Sequence, residues 1–347
     1  MSQTKSPDTA LFSSPDTFLF ALKGETAAFL PMNRDAYARS IFLDRRIAPV
    51  SPAMSQMPVA DLLAATAEAP AGRVGWIFHV AHCGSTLLAR ALDHRVRDLV
   101  LREPMALRQL GIDTALMRGE RPQGWHDTLR ATVALLSRRY APDAPVIVKA
   151  NVPVNPIVPD LMALDPEAPA IFLYYPLAEY LMAVLRSPGH RQWVDGVTRE
   201  IGPALEPWCG SLDGLDTFDR AAALWLAQTR IYADALARYP NARALDAEHL
   251  FDRPEAAVRA SHAHFGIVLS DAELSAMLEG PLFGTYSKNP QMVFTNDVRR
   301  GRQDALRAVM QPRIDAASQW VKNRANDYPL PERLPKPLEG SERRPLL

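Results

Sequence analysis

The sequence predicts an α/β protein, with a three-layer fold in which helices cover both faces of a parallel sheet. The first observation is a set of five short apolar segments without polar alternation, as expected of strands buried on both faces. The second is that helical stretches separate these segments, which favours crossover connections between parallel strands. The predicted strands are Trp76–Val80, Val100–Leu101, Val146–Lys149, Ile171–Tyr175 and Ala244–Asp246.

Apolar residues at helical spacing predict the helices between and after these strands. These helices are Thr86–Asp93, Met105–Leu110, Thr128–Tyr140, Ile157–Leu164, Ala178–Leu185 and Phe218–Tyr239. In open parallel sheets, ligands bind beyond the carboxyl ends of the strands. We therefore expect the functional side chains to follow the strands directly.

Before the sheet, the sequence predicts a small N-terminal extension. Apolar runs on either side of Gly24 predict a hairpin with strands over Phe18–Leu22 and Ala27–Met32. Asn33 is placed to cap a short helix, and a second helix is expected over Val59–Ala67 after a proline-rich linker. The chain then divides into an extension (1–70), a main domain (71–328) and a proline-rich tail (329–347) that we expect to be mobile.

Composition excludes several classes of protein. The 347 residues carry a formal net charge of zero, so no nucleic-acid or anionic-membrane partner is predicted. No apolar run approaches the ~20 residues that span a bilayer, and no signal-peptide core is present. The two cysteines are too few for a disulfide framework, which favours a cytoplasmic protein. The histidines lack partners at metal-site spacing, so no metal is predicted.

The segment Gly75–Arg90 carries the strongest functional signal. An apolar strand breaks at small and polar residues around Gly84 and continues into a helix whose first turn contains Ser85 and Thr86. Such a junction directs free backbone N–H groups and the positive end of a helix dipole at one point, where a phosphate binds. The ATP- and GTP-binding motif G-x-x-x-x-G-K-[ST] does not fit, because Ser85 stands where that motif has its lysine.

This segment resembles the phosphosulfate-binding loop of sulfotransferases, P-[KR]-S-G-T-T-x-L, at residues Ala81–Leu88. Gly84, Thr86 and Leu88 agree with it, and His82 stands at its basic position. The resemblance implies a P-loop NTPase-like fold and 3′-phosphoadenosine 5′-phosphosulfate (PAPS) as co-substrate, without a metal. It also implies that the phosphosulfate is held by His82, Cys83, Gly84, Ser85, Thr86 and Leu87.

Glu103 follows the second predicted strand, where a carboxylate beside an anion-binding loop can take a proton from an acceptor. Within the family, this chain most resembles protein-tyrosine sulfotransferases and bacterial sulfotransferase-like proteins. In protein-tyrosine sulfotransferases, an acidic residue just after the second strand is the catalytic base. The resemblance implies that role for Glu103. The alternative is a surface or capping pair between Arg102 and Glu103.

Lys149 ends the third strand, and burying a lysine there costs free energy unless an anion pairs with it. It resembles the family lysine that contacts the transferred sulfuryl group, and the resemblance implies that Lys149 and His82 act with Glu103 in catalysis. Cytosolic sulfotransferases have a histidine base two residues further on, whereas this chain has Asn151. The alternative is a lysine at a strand edge that projects into solvent.

This sequence agrees less well with the sulfotransferase pattern at the fourth strand. There, sulfotransferases hold the 3′-phosphate of PAPS with an arginine, a serine and often a second arginine. Tyr174 and Met182 stand at the first two positions, and Arg186 survives at the third with Ser187 beside it. The resemblance makes Arg186 and Ser187 candidate nucleotide ligands. Further candidates are Ser287 and Lys288 in a late loop and, less strongly, the cluster Arg299–Arg302.

The sequence thus predicts a sulfotransferase-like enzyme that uses PAPS and Glu103 as base. Two alternatives stay open, namely a nucleotide-dependent phosphotransferase or hydrolase with an atypical loop, and a nucleotide-binding scaffold without turnover. The class of acceptor and the oligomeric state are left undetermined. Acceptor-binding loops are expected around Trp125 and over residues 189–216.

Overall fold

A parallel sheet of five strands lies at the centre of the computed structural model, which describes residues 14–68, 72–94, 97–118, 120–286, 289–293, 295–341 and 344–347. Its strands stand in the order β5-β6-β4-β7-β8, and each neighbouring pair is parallel. They are β4 (Gly75–His79), β5 (Leu99–Arg102), β6 (Val146–Lys149), β7 (Ala170–Tyr174) and β8 (Ala242–Asp246). Helices flank the sheet, and the α/β class predicted from the sequence is confirmed.

The N-terminal extension forms a second, antiparallel sheet of β1 (Thr17–Lys23), β2 (Thr26–Pro31) and β3 (Ser55–Pro58). Gly24 takes the left-handed backbone conformation in the hairpin turn, as the glycine there predicts. The strand β3 falls in the proline-rich stretch predicted as a linker. It is an edge strand, where a terminal proline costs no ladder hydrogen bond.

Two helices accompany that sheet, α1 (Arg34–Arg39) and α2 (Val59–Thr66). The side chain of Asn33 caps α1 by accepting a hydrogen bond from the Ala36 N–H at 2.8 Å, as predicted. Phe18, Met32 and Tyr37 pack into the same core as the central sheet, so the extension shares the core of the main domain.

The remaining helices follow the predicted alternation with the strands. They are α3 (Ser85–Leu92), α4 (Met105–Leu116), α5 (Trp125–Leu136), α6 (Val158–Leu164), α7 (Leu177–Leu185), α8 (Pro188–Cys209), α9 (Thr217–Arg238), α10 (Ala247–Asp252), α11 (Pro254–His264), α12 (Asp271–Glu279), α13 (Pro281–Gly284) and α14 (Asn296–Arg324). A 3-10 helix (Val152–Ile157) precedes α6, and two short strands, β9 (Thr285–Tyr286) and β10 (Asn289–Val293), pair before α14. Within the described ranges, no helix combines the length and apolar character needed to cross a membrane.

Two stretches that were expected to be loops are largely helical. The region 189–216, expected as an acceptor-binding loop, is mostly the 22-residue helix α8. Its buried residues Val194, Val197, Ile201 and Leu205 recur at intervals of three or four, a helical signal visible in the sequence. The stretch around Trp125 likewise begins a helix, α5, in which Trp125 is buried and donates to the Leu110 carbonyl.

The proline-rich tail, expected to be mobile, packs against the sheet. Leu334, Leu338 and Leu346 are buried, and Leu338 donates from its N–H to the Ala244 carbonyl of β8 at 2.7 Å. Arg344 adds an ion pair with the buried Asp246. Prolines favour an extended backbone, and here the extended tail packs its leucines against the apolar core.

Replacing Leu346 tests this packing. Leu346→Ala removes a side chain that is 1 % exposed, so we expect the free energy of unfolding to fall by about 2–5 kcal/mol. Leu347→Ala is the matched control, because Leu347 is 46 % exposed and should change stability little. The measurement is urea unfolding followed by circular dichroism. Equal, negligible effects of both changes would show that the tail does not pack.

Candidate active site

The loop between β4 and α3 has a strained backbone of the kind that concentrates at functional sites. Ala81 and His82 have left-handed φ angles of 80° and 50°, and Gly84 follows at 82°. Such angles are costly for residues other than glycine. At Gly84 a Cβ atom would lie 2.8 Å from the Phe251 ring, so glycine is also required by space.

This backbone turns the first residues of α3 toward a cavity. Gly84, Ser85, Thr86 and Leu87 all line it. The N–H groups of the first helical turn have no acceptor within the helix, and the helix dipole is positive at this end. The loop thus has the backbone arrangement of an anion-binding site, at the carboxyl edge of the sheet where it was expected.

The side chains of the loop divide between core and cavity. Cys83 is fully buried, and its thiol lies 3.8 Å from the Leu173 carbonyl, so only its backbone is available to a ligand. The His82 ring instead packs beside the rings of His190 and Trp193, at centroid distances of 4.6 and 5.3 Å. His82 lines two cavities, one on each side of the loop.

The first cavity has a volume of about 190 Å³ and is cationic. Besides the loop it is lined by Arg186 at the end of α7 and by Arg299 and Arg302 of α14. The Arg299 guanidinium is buried and forms two hydrogen bonds to the Glu248 carboxylate, at 2.6 and 2.7 Å. Burial disfavours its charged form, but the bonds to Glu248 outweigh burial, and the pKa of Arg299 is raised.

The other predicted nucleotide ligands have different positions. Ser187 does not line this cavity; its hydroxyl caps α8 and lies 2.6 Å from His190 Nδ1. Tyr174 is buried in β7, whereas Met182 does line the cavity. Ser287 and Lys288 lie outside the described residues.

Glu103 and Lys149 lie side by side where β5 and β6 end. Arg102 and Lys149 are register partners in these strands, and Glu103 donates its N–H to the Lys149 carbonyl at 2.7 Å. The Lys149 ammonium is fully buried and forms an ion pair with the Glu103 carboxylate. A lysine projecting into solvent, the alternative weighed from the sequence, is therefore wrong.

Arg102 does not pair with Glu103 either. Its guanidinium is buried, forms an ion pair with Asp93 at 2.6 Å, and donates to the carbonyls of Tyr37 and Ser40 at 2.5 and 2.7 Å. Glu103 has a left-handed φ of 59°, so the chain turns sharply after Arg102. The strand-end pair is thus split, with the arginine in the core and the carboxylate facing a second cavity.

The second cavity has a volume of about 640 Å³ and surrounds Glu103. Its walls combine aromatic, charged and polar side chains from the extension, the strand ends and α8. The side chains are Phe42, Asp44, Arg46, His79, His82, Glu103, Arg108, Asn151, Trp193, Arg199 and Glu200, with small and apolar residues between them. His79, predicted as a core residue, is 5 % exposed and accepts from the Ala81 N–H at Nδ1, while its Nε2 lies 3.9 Å from Glu103.

The extension contributes residues that sequence reasoning missed. Arg46 lies 3.9 Å from Glu103 Oε2 and its guanidinium stacks 3.8 Å from the Phe42 ring centroid. Asp44 pairs with Arg46; burial opposes ionisation of Asp44, but hydrogen bonds from Arg46 outweigh it and lower the pKa of that carboxyl. No local pattern marks these residues, because they reach the site through tertiary packing.

The described residues hold no cluster of three or more histidine, cysteine or acidic side chains able to bind a metal ion. Cys83 and Cys209 are buried, and neither forms a disulfide.

Comparison with known proteins gives limited similarity. No family model matches the chain, and no curated protein matches it. The sulfotransferase domain from the curacin biosynthetic pathway aligns over 75 % of this chain and 99 % of that domain, with 12 % identity and a TM-score of 0.41. A sulfotransferase from Alicyclobacillus acidocaldarius aligns over 72 % of this chain and 98 % of its own, with 14 % identity and a TM-score of 0.36. Similarity at this level does not assign a function, which has to come from the site.

Arg102 tests how the Glu103 turn is anchored. Arg102→Ala leaves Asp93 buried with fewer partners and removes donors from two buried carbonyls, so the free energy of unfolding should fall by about 3–5 kcal/mol. Arg97→Ala is the control, since Arg97 pairs with Asp143 at the surface and should contribute little. Urea denaturation measures both. Similar small losses in the two variants would contradict an anchoring role for Arg102.

Proposed function

We propose that this protein is a sulfotransferase that moves a sulfuryl group from PAPS to a hydroxyl of a small-molecule acceptor. The observation that carries the proposal is the position of the Glu103–Lys149 ion pair. It lies at the carboxyl edge of the sheet, beside the loop, and Glu103 faces the second cavity while the loop faces the first. A carboxylate in the wall of one cavity, paired with a buried ammonium and next to a loop that lines the other cavity, suits the transfer of a charged group from a donor to a nucleophile.

The lining of the first cavity suits the phosphosulfate end of the donor. The loop amides and the α3 dipole suit the phosphosulfate, and Arg186 and Arg302 supply positive charge for further phosphate oxygens, whereas the Arg299 guanidinium is already paired with Glu248 and Asp252. The Thr86 hydroxyl is buried and has no hydrogen-bond partner among the described residues. Buried polar groups in proteins are nearly always satisfied, and a bound phosphate would satisfy this one.

The reaction assigns a task to each central side chain. The acceptor oxygen attacks sulfur while Glu103 takes the hydroxyl proton, and the bond between sulfur and the bridging phosphate oxygen breaks. Lys149 and the loop amides offset the negative charge that develops on that oxygen, and 3′,5′-ADP leaves. His82, which lines both cavities, is placed to contact the group in transfer.

The second cavity supports a small acceptor. Its volume of about 640 Å³ is within the range of sites for drug-sized ligands. Phe42 and Trp193 offer aromatic faces, and the charged side chains beside them orient polar groups.

The direct test is binding of 3′,5′-ADP by calorimetry together with turnover of radiolabelled PAPS against pooled hydroxyl compounds. Micromolar binding and a labelled product are expected. Binding without any product would favour the scaffold alternative. Magnesium-dependent ATP turnover, with no affinity for 3′,5′-ADP, would favour the phosphotransferase or hydrolase.

Glu103→Gln tests the base. The amide cannot take a proton, so kcat should fall by a factor of about 10²–10⁴ while the Kd of 3′,5′-ADP stays within about twofold. Glu167→Gln is the control, because Glu167 is exposed and precedes β7, at the opposite end of the sheet. Turnover by Glu103→Gln equal to that of the control would exclude Glu103 as the base.

A further inference from the structure

The Arg186 guanidinium is held by side chains at two of its nitrogens. Its Nε donates to His190 Nε2 at 2.9 Å, and its Nη2 donates to the Tyr286 hydroxyl at 3.4 Å. A guanidinium has five N–H groups, so three remain for other acceptors. Because Arg186 lines the first cavity, its orientation determines what a bound anion can contact there.

These contacts define the protonation state of His190. Arginine Nε carries a hydrogen and has no lone pair to offer, so His190 Nε2 must be the unprotonated nitrogen. The hydrogen of the neutral ring is then on Nδ1, which lies 2.6 Å from the Ser187 hydroxyl oxygen and donates to it. The same oxygen accepts from the His190 backbone N–H at 3.4 Å. Ser187 thus fixes both the first turn of α8 and the tautomer of the ring.

His190 also connects Arg186 with the anion-binding loop. Its ring centroid lies 4.6 Å from that of His82, which lines both cavities. A histidine in the first turn of α8 therefore packs against the loop on one side and accepts from the arginine on the other. The interaction links two parts of the donor cavity that are about 100 residues apart in the chain.

We propose that His190 is a positioning residue that orients Arg186 toward the 3′-phosphate of the donor nucleotide. This rests on the proposed function. At the two other positions of the fourth-strand pattern, Tyr174 is buried in its strand and Met182 is apolar. Arg186 is consequently the cation that the fourth-strand pattern retains. Holding its flexible side chain in place reduces the conformational entropy that is lost on binding. Ser187, a candidate phosphate ligand by sequence, acts instead through His190.

Two substitutions separate positioning from helix capping. In His190→Gln the amide oxygen can reach the place of Nε2 and accept from Arg186, but the contact with Ser187 is lost. In His190→Asn the shorter amide can reach the place of Nδ1 and keep the Ser187 contact, but Arg186 loses its acceptor. A positioning role predicts that the Asn variant loses more affinity for 3′,5′-ADP. A purely structural role in α8 predicts that the Gln variant loses more.

The experiment measures the affinity of each variant for 3′,5′-ADP and 5′-AMP by calorimetry, with the full-length protein. His190→Asn should weaken 3′,5′-ADP binding about tenfold while 5′-AMP binding changes less than about twofold. His190→Gln should bind both ligands within about twofold of the parent protein. In an Arg186→Met background, His190→Asn should have no further effect, because the two residues act as a unit.

Several outcomes would overturn the proposal. A loss of 3′,5′-ADP affinity in the Gln variant that equals or exceeds the loss in the Asn variant would assign His190 a structural role, and unchanged affinities in both would remove it from the donor site. Either result leaves the proposed function standing if the parent protein binds 3′,5′-ADP and turns over PAPS. Absence of 3′,5′-ADP binding by the parent protein would instead reject the proposed function and this inference together.

Discussion

The fully buried ammonium of Lys149 imposes the strongest constraint on this structure. A lone charge in the interior of a protein is unstable, so a lysine at the end of a central strand requires an anion within reach. Glu103 supplies this anion just after the neighbouring strand. The backbone hydrogen bond from Glu103 to the Lys149 carbonyl fixes the distance between the two strand ends. The left-handed turn at Glu103 and the opposed burial of Arg102 follow from that arrangement.

One edge of the central sheet borders both cavities. The loop after β4 directs its amides to one side, and Glu103 faces the other. Between them lies His82, held in a strained conformation by the packing of His190 and Trp193 from α8. The reactive groups are thus supported by rigid elements rather than by long loops, which keeps them in place before any ligand arrives.

Local sequence patterns predicted most of the central sheet, because each strand is a short apolar run bounded by glycine, proline or charge. The predicted Val146–Lys149 agrees with β6 at both ends, and the loop, Glu103 and Lys149 were found because they follow strands directly. Contributions made through tertiary packing were not predictable. Phe42 and Arg46 come from the extension and reach the cavity wall only in the folded chain. The helix α8 was missed although its apolar period is regular, because the region was expected to form an acceptor-binding loop.

The segment from Phe42 to Arg46 joins the N-terminal extension to the main domain. Leu43 donates its N–H to the Arg102 carbonyl and accepts from the Met105 N–H, so the first 70 residues are joined to the chain on both sides of Glu103. A boundary at residue 70 separates two stretches of sequence but cuts through one wall of the larger cavity. Substitutions in that short segment change the wall of the larger cavity and leave the residues that line the smaller one unchanged.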